Sequence, residues 1–145
     1  MLNESCEPPA CSALSAGTNR RLQPLIAPNQ LELALPVTAE AAETVLGARR
    51  SIARILHGAD PKRLAVIVGP CSIHDPDTAL EYAQRLRRVA ASTAETLLIV
   101  MRSYLEKPRT TLGWKGFLND PDLDGRCDLP AGLERSRALL LEINE

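Results

Sequence analysis

The sequence predicts an α/β fold built on a parallel sheet. Two short apolar runs, "LAVIV" at 64–68 and "TLLIVM" at 96–101, flank one amphipathic helical stretch. Runs without polar alternation suit strands covered on both faces, and strand, helix, strand in that order forms a right-handed parallel unit. Two parallel strands leave open edges and little cover, so the chain reads as the opening part of a larger α/β domain.

The 145 residues allow one domain at most. A hydrophobic content of 45% is that of a globular chain, and a net charge of −1 gives no general reason to expect nucleic acid or a membrane surface as partner. With one Phe and one Trp, the core must be mainly Leu, Ile, Val and Ala. No apolar run approaches a membrane span, and the first residues lack the basic start and unbroken apolar centre of a secretory signal. A cytoplasmic location is expected. The four cysteines show no paired metal-binding spacing and are expected to be reduced thiols.

Taken in order, residues 1–18 are small, polar and proline-bearing, and are expected to be a disordered tail. Residues 19–60 form an N-terminal extension of arm and helix. Pro24, Pro28 and Pro36 interrupt 20–37, which predicts an extended arm suited to packing on another subunit. Ala41, Val45, Ala48, Ile52 and Ile55 then mark one face of a helix over 39–57, with Thr38 as its cap and Gly58 at its end. Residues 61–145 carry the two βα units. Gly69 and Pro70 stop the first strand. Asp75-Pro76 predicts an N-cap and first helical residue, with Ala79, Leu80, Ala83 and Leu86 facing inward as far as about Val89. A last helix is expected from near Pro130, carrying Leu133, Leu140 and Ile143.

The chemistry should sit where the strands end. "GPCSIHD" follows the first strand and "RSYLEKPRTTLGWKG" the second, so both leave the carboxyl ends of adjacent parallel strands, the face that carries active sites in α/β folds. Two of the three lysines and three of the four aromatic residues fall at 104–117. Arg102, Lys107, Arg109 and Lys115 supply four cations, partly offset by Glu106 and Asp120. A guanidinium grips phosphate or carboxylate with two prongs, and lysine offers a compact charge. Thr110 and Thr111 add hydroxyls, and Gly113 and Gly116 allow close approach of the backbone. The mixture suits a small, multiply anionic ligand; composition alone fits a solvated basic loop equally well. Cys71 could bind a divalent metal or act as a nucleophile, or be a small buried thiol. His74 could assist, or could serve as a local hydrogen-bonding group beside Asp75. His57 reads as a partner of a helix C-terminus.

"GPCSIHDP" at 69–76 with "MRSYLEKPRTTLGWKGFLNDP" at 101–121 closely resembles class I 3-deoxy-D-arabino-heptulosonate 7-phosphate (DAHP) synthases. The resemblance runs from about Arg20 to the end, through "GARRSIARILHG" and "LLLEIN". The "EKPRTTLGWKG" segment is its most specific part, because related octulosonate enzymes share something like the GPC element. The resemblance implies a (β/α)8 TIM barrel with an N-terminal extension, of which this chain would hold the first two βα units. It implies the condensation of phosphoenolpyruvate with erythrose 4-phosphate and water, giving DAHP and phosphate, at the head of the route to aromatic amino acids. It also implies a divalent metal (Mn, Fe, Co or Zn) and a homo-oligomer in the full-length form.

By the same resemblance Cys71 would be a metal ligand. Arg102 and Lys115 would bind phosphoenolpyruvate, and Lys107 would lie between the substrates near the aldehyde oxygen. Arg109 and Thr110 would hold the erythrose phosphate. Ser103 and Leu105 stand where the family commonly has Val and Phe, and "GRCDLPAGL" varies a family segment. Family members are much longer, and the strands carrying the remaining metal ligands and phosphate-binding residues have no counterpart here. Metal binding is therefore expected to be weak and the chain inactive by itself. The other readings are a non-catalytic module that pairs with a full-length synthase, and a generic anion-binding domain.

Overall fold

The structure, a computed structural model, describes residues 24–107 and 113–145. The expected tail at 1–18, the first residues of the arm, and Arg109 and Thr110 lie outside the described residues. The order is α1 (Pro28–Ala34), α2 (Ala39–Leu56), β1 (Leu64–Val68), α3 (Pro76–Ser92), β2 (Leu97–Met101) and α4 (Leu129–Asn144).

The arm is not wholly extended. Pro28 sits in the first turn of α1, where a missing N–H costs no helical hydrogen bond, and Pro36 follows the helix end at Leu35. The prolines thus bracket a short helix rather than forbid one. α1 buries no residue, and Leu33 is 80% exposed. The Arg137 Nε–H on α4 donates to the Leu35 carbonyl at 2.8 Å and ties the arm down.

α2 follows the expected pattern. The Thr38 hydroxyl accepts from the Ala41 N–H at 3.2 Å and donates to Glu145 Oε1 at 2.8 Å. Of the apolar stripe Ala41 is buried and the others half-buried. Gly58 takes a φ of 72° just past the helix, a left-handed turn that glycine adopts without strain. The Asp60–Arg63 pair at 2.7 Å then leads into β1.

β1 and β2 pair in parallel, with Leu64 beside Leu97 and Val68 beside Met101. The expectation that both strands are covered on both faces fails for β1. Leu64 is 67% and Ile67 71% exposed. The sheet of the described residues has two strands only, so β1 has one unpaired edge and one uncovered face.

The main core lies beside the sheet. Ile73, Ala79 and Leu139 are buried together, with Leu80, Leu105 and Ile143 against them. α4 meets the expectation in part, with Ile143 against the core and Leu133 half-buried. Gly132, Ser136 and Leu139 are buried, while Leu140 is exposed. The spacing of four and three is helical, but its first two members are small, so hydrophobicity alone points one residue too far round. No helix of the described residues is long and apolar enough to cross a membrane.

Candidate active site at the strand tips

Hydrogen bonding between the strands continues past the sheet. The Arg102 N–H donates to the Val68 carbonyl at 2.7 Å, and the Ile73 N–H donates to the Tyr104 carbonyl at 2.7 Å. The two strand-end segments are therefore stitched together along their backbones. Gly69 makes this possible: a Cβ there would overlap the Arg102 carbonyl and lie 2.9 Å from the Arg102 Cβ. No side chain fits between the tips.

Arg102 stands exposed at this junction. Its Nη1 donates to the Pro70 carbonyl at 3.0 Å, and its guanidinium carbon lies 4.9 Å from the centre of the Tyr104 ring. A carbonyl on one loop and a ring on the other hold the guanidinium, whose five N–H groups suit an anion in solvent reach. Cys71, on the first loop, is a free and exposed thiol. The small-buried-thiol reading is thereby excluded.

The second loop doubles back on itself. The Lys107 N–H donates to the Lys115 carbonyl and the Leu118 N–H to the Leu105 carbonyl, both at 3.0 Å. The two lysines thus face each other across the limbs of a hairpin. Gly116 lets the limbs meet. Its φ is 106°, and a Cβ would lie 2.5 Å from the Glu106 Cα. The Asn119 side-chain amide also donates to the Lys115 carbonyl, at 3.3 Å. Lys107 is exposed and Lys115 half-buried.

Asp120, expected to offset the cations in part, is held inside the loop. It is 4% exposed. Its Oδ2 accepts from the Gly125 N–H at 3.2 Å, and its own N–H donates to the Gly116 carbonyl at 2.9 Å. Its carbonyl accepts the Trp114 indole N–H at 2.8 Å. Asp120 is a knot inside the loop. An aspartate before proline, as in Asp120-Pro121, is the sequence signal for such a turn.

His74 has its ring edge-on to Trp114, with centres 6.4 Å apart at 89°. This joins the first loop to the return limb of the second. Asp75 caps α3, accepting from the Asp77 N–H at 3.2 Å and from the Thr78 hydroxyl. The Thr78 hydroxyl is the main cause of an Asp75 carboxyl held below its ordinary range. His57 closes α2, its Nδ1 hydrogen-bonded to the Ala53 carbonyl at 2.7 Å.

Sequence reasoning placed Cys71, Arg102, Lys107 and Lys115 on strand-end loops, and the structure carries all four on two segments bonded to each other. It missed the roles of Gly69, Trp114, Asn119 and buried Asp120, because packing and backbone pairing leave little mark in composition. Among the described residues no three His, Cys, Asp or Glu side chains cluster as a metal site. The single thiol of Cys71 does not make one, so the described residues do not fit a complete divalent-metal centre.

Residues 34–139 match the DAHP synthetase I family. The chain is 52% identical over 121 residues to the Tyr-sensitive phospho-2-dehydro-3-deoxyheptonate aldolase of Escherichia coli K12, covering 83% of this chain and 34% of that one. It is 54% identical over 123 residues to a phospho-2-dehydro-3-deoxyheptonate aldolase of Amycolatopsis methanolica, covering 85% of this chain and 60% of the relative. The solved structure of the Francisella tularensis SCHU S4 aldolase superposes with a TM-score of 0.82 at 46% identity, over 88% of this chain and 37% of that one. The chain therefore spans about a third of the Escherichia coli and Francisella relatives. With the match running through both strands and both strand-end loops, this chain belongs to the DAHP synthetase I family.

Proposed function

We propose that this chain forms the phosphoenolpyruvate side of a DAHP synthase active site, within the first two βα units of a (β/α)8 barrel. Residues 19–60 serve as the N-terminal extension and 61–145 as the barrel portion. The observation that carries the reading is the pairing of Lys107 with Lys115 across a hairpin stitched to the Arg102 junction. It brings the backbones of two lysines together beside Arg102, and cations so grouped suit a ligand that carries both a phosphate and a carboxylate.

In this reading Arg102 and Lys115 bind phosphoenolpyruvate. Lys107 stands between the substrates and stabilises charge on the aldehyde oxygen of erythrose 4-phosphate. Arg109 and Thr110 hold the phosphate of that aldehyde substrate. C3 of phosphoenolpyruvate attacks the aldehyde carbon, water adds at C2 and phosphate leaves. Cys71 is one ligand of a divalent-metal set that the described residues do not complete. The protein works in the cytoplasm, as a homo-oligomer when the barrel is whole.

The 145-residue chain alone should bind phosphoenolpyruvate more tightly than inorganic phosphate and show no turnover with both substrates and manganese. Calorimetry on the wild type and Arg102→Ala tests the binding. Equal affinity for the two anions would leave only a generic anion site, and clear turnover would defeat the claim that the chain is inactive by itself.

A second reading is favoured by exposed Leu33 on the arm and exposed Leu46 and Leu56 on α2. The chain then acts as a module that pairs with a full-length synthase through its arm and α2. Co-purification with the synthase, with a concentration-dependent effect on its rate, supports that reading.

A further inference from the structure

We infer that Trp114 is a positioning residue, which locks the Lys107–Lys115 hairpin to the loop that carries Cys71. The inference rests on the proposed phosphoenolpyruvate site for its functional consequence, while its structural part stands independently.

Trp114 immediately precedes Lys115 and is held from two sides. Its indole N–H donates to the carbonyl of buried Asp120 at 2.8 Å, and its ring meets the His74 ring edge-on with centres 6.4 Å apart. Asp120 is itself fixed at two points, by its N–H to the Gly116 carbonyl and by Oδ2 to the Gly125 N–H. Any rotation of Trp114 therefore breaks a hydrogen bond at one end and a ring contact at the other. The Lys115 backbone that follows is held at its carbonyl by the Lys107 N–H and the Asn119 amide. His74 lies in the segment 69–74, whose Ile73 N–H is bonded to the Tyr104 carbonyl. The two loops thus touch at their bases through Ile73 and Tyr104, and again further out through His74 and Trp114. Two separated contacts fix an orientation that one contact leaves free to swing. The backbone limbs that carry Lys115 and Cys71 are thereby held in one relative orientation before any ligand arrives.

The test uses the whole chain and two substitutions. Trp114→Phe keeps a ring against His74 and removes the N–H to Asp120. His74→Ala removes the ring contact from an exposed position on the other loop. Each should leave helical circular dichroism and the exchange of amides within β2 unchanged. Each should raise hydrogen exchange at both the Lys107 and Ile73 amides, by about tenfold for the loss of one hydrogen bond or one aromatic contact. Phosphoenolpyruvate affinity should fall by a similar factor in Trp114→Phe.

If the substitution at His74 leaves the Lys107 amide unchanged, the loops are independent and the inference fails. It fails too if Trp114→Phe loosens the amides but leaves phosphoenolpyruvate affinity intact. Should Trp114→Phe not fold, His74→Ala alone decides. If the wild type does not bind phosphoenolpyruvate while both amides loosen together, the substrate reading falls and the loop coupling stands.

Discussion

The Cα of Gly132 on α4 lies directly against the carbonyl of Leu118, so that a Cβ at 132 would overlap that oxygen and lie 3.2 Å from the Phe117 carbonyl. The helix and the return limb of the lysine loop are in backbone contact. This single junction couples the stability of α4 to the position of the candidate site.

Gly132→Ala should therefore destabilise the chain by about 2 kcal/mol or more, since a backbone carbonyl cannot step aside as a side chain can. The measurement is the urea midpoint, with Gly47→Ala as a comparison because nothing lies within 4 Å of a Cβ there. Equal midpoints for the two variants would refute the junction.

At Gly116 the cost should appear in binding. The φ of 106° and the 2.5 Å approach to the Glu106 Cα both oppose a side chain. Gly116→Ala should open the hairpin and weaken phosphoenolpyruvate binding by more than about tenfold, through the displaced lysines. Calorimetry reads this directly. Retained affinity would mean that the Lys107–Lys115 pairing does not shape the site.

The Asp75 cap predicts a pH dependence. Its carboxyl is held below the ordinary range chiefly by the Thr78 hydroxyl; burial, the next largest influence, opposes this, and the Asp77 and Thr78 N–H groups add to the lowering. A carboxyl lowered on folding contributes stability that is complete above its unfolded value and lost as pH falls through its folded value. Acidification from neutrality to about pH 3 should thus weaken α3. Asp75→Asn, which keeps an acceptor without the titration, should show a shallower acid limb in helical circular dichroism. Identical acid limbs would show that Asp75 makes no such contribution; Asp60 and Asp124 are held low by Arg63 and by the Arg126 N–H respectively, and remain in both proteins.

Ile67 offers a solubility prediction. It is 71% exposed on the uncovered face of β1. Ile67→Thr should change the unfolding free energy by less than about 0.5 kcal/mol, as surface substitutions do, and should reduce self-association in sedimentation. A large loss of stability would show that this face is covered after all.

Much of the fold was legible because its signals are local. Thr38 and Asp75 cap helices as their sequence neighbours demand, and the two apolar runs pair in parallel. What escaped depends on the neighbours a residue meets in space. Leu140 looks like a core residue by hydropathy, yet the buried face runs through small Gly132 and Ser136, with Gly132 fitted against a backbone. Ile67 looks doubly buried until the strand count of the sheet is known. The cationic positions of the site were readable from charge and strand-end placement. The Trp114–Asp120 and His74–Trp114 contacts were not, since they join residues by geometry that composition does not carry.

The stitching of the two strand tips has a consequence for biosynthesis. Val68 meets Arg102, and Ile73 meets Tyr104, through a single helical crossover. These contacts between the strand tips therefore lie within one short span of the polypeptide. A ribosome releasing the chain from its N-terminus delivers both loops and the helix between them in immediate succession. The strand-end segments can then pair during translation, and α4, made later, packs Gly132 and Leu139 onto a pairing that is already in place.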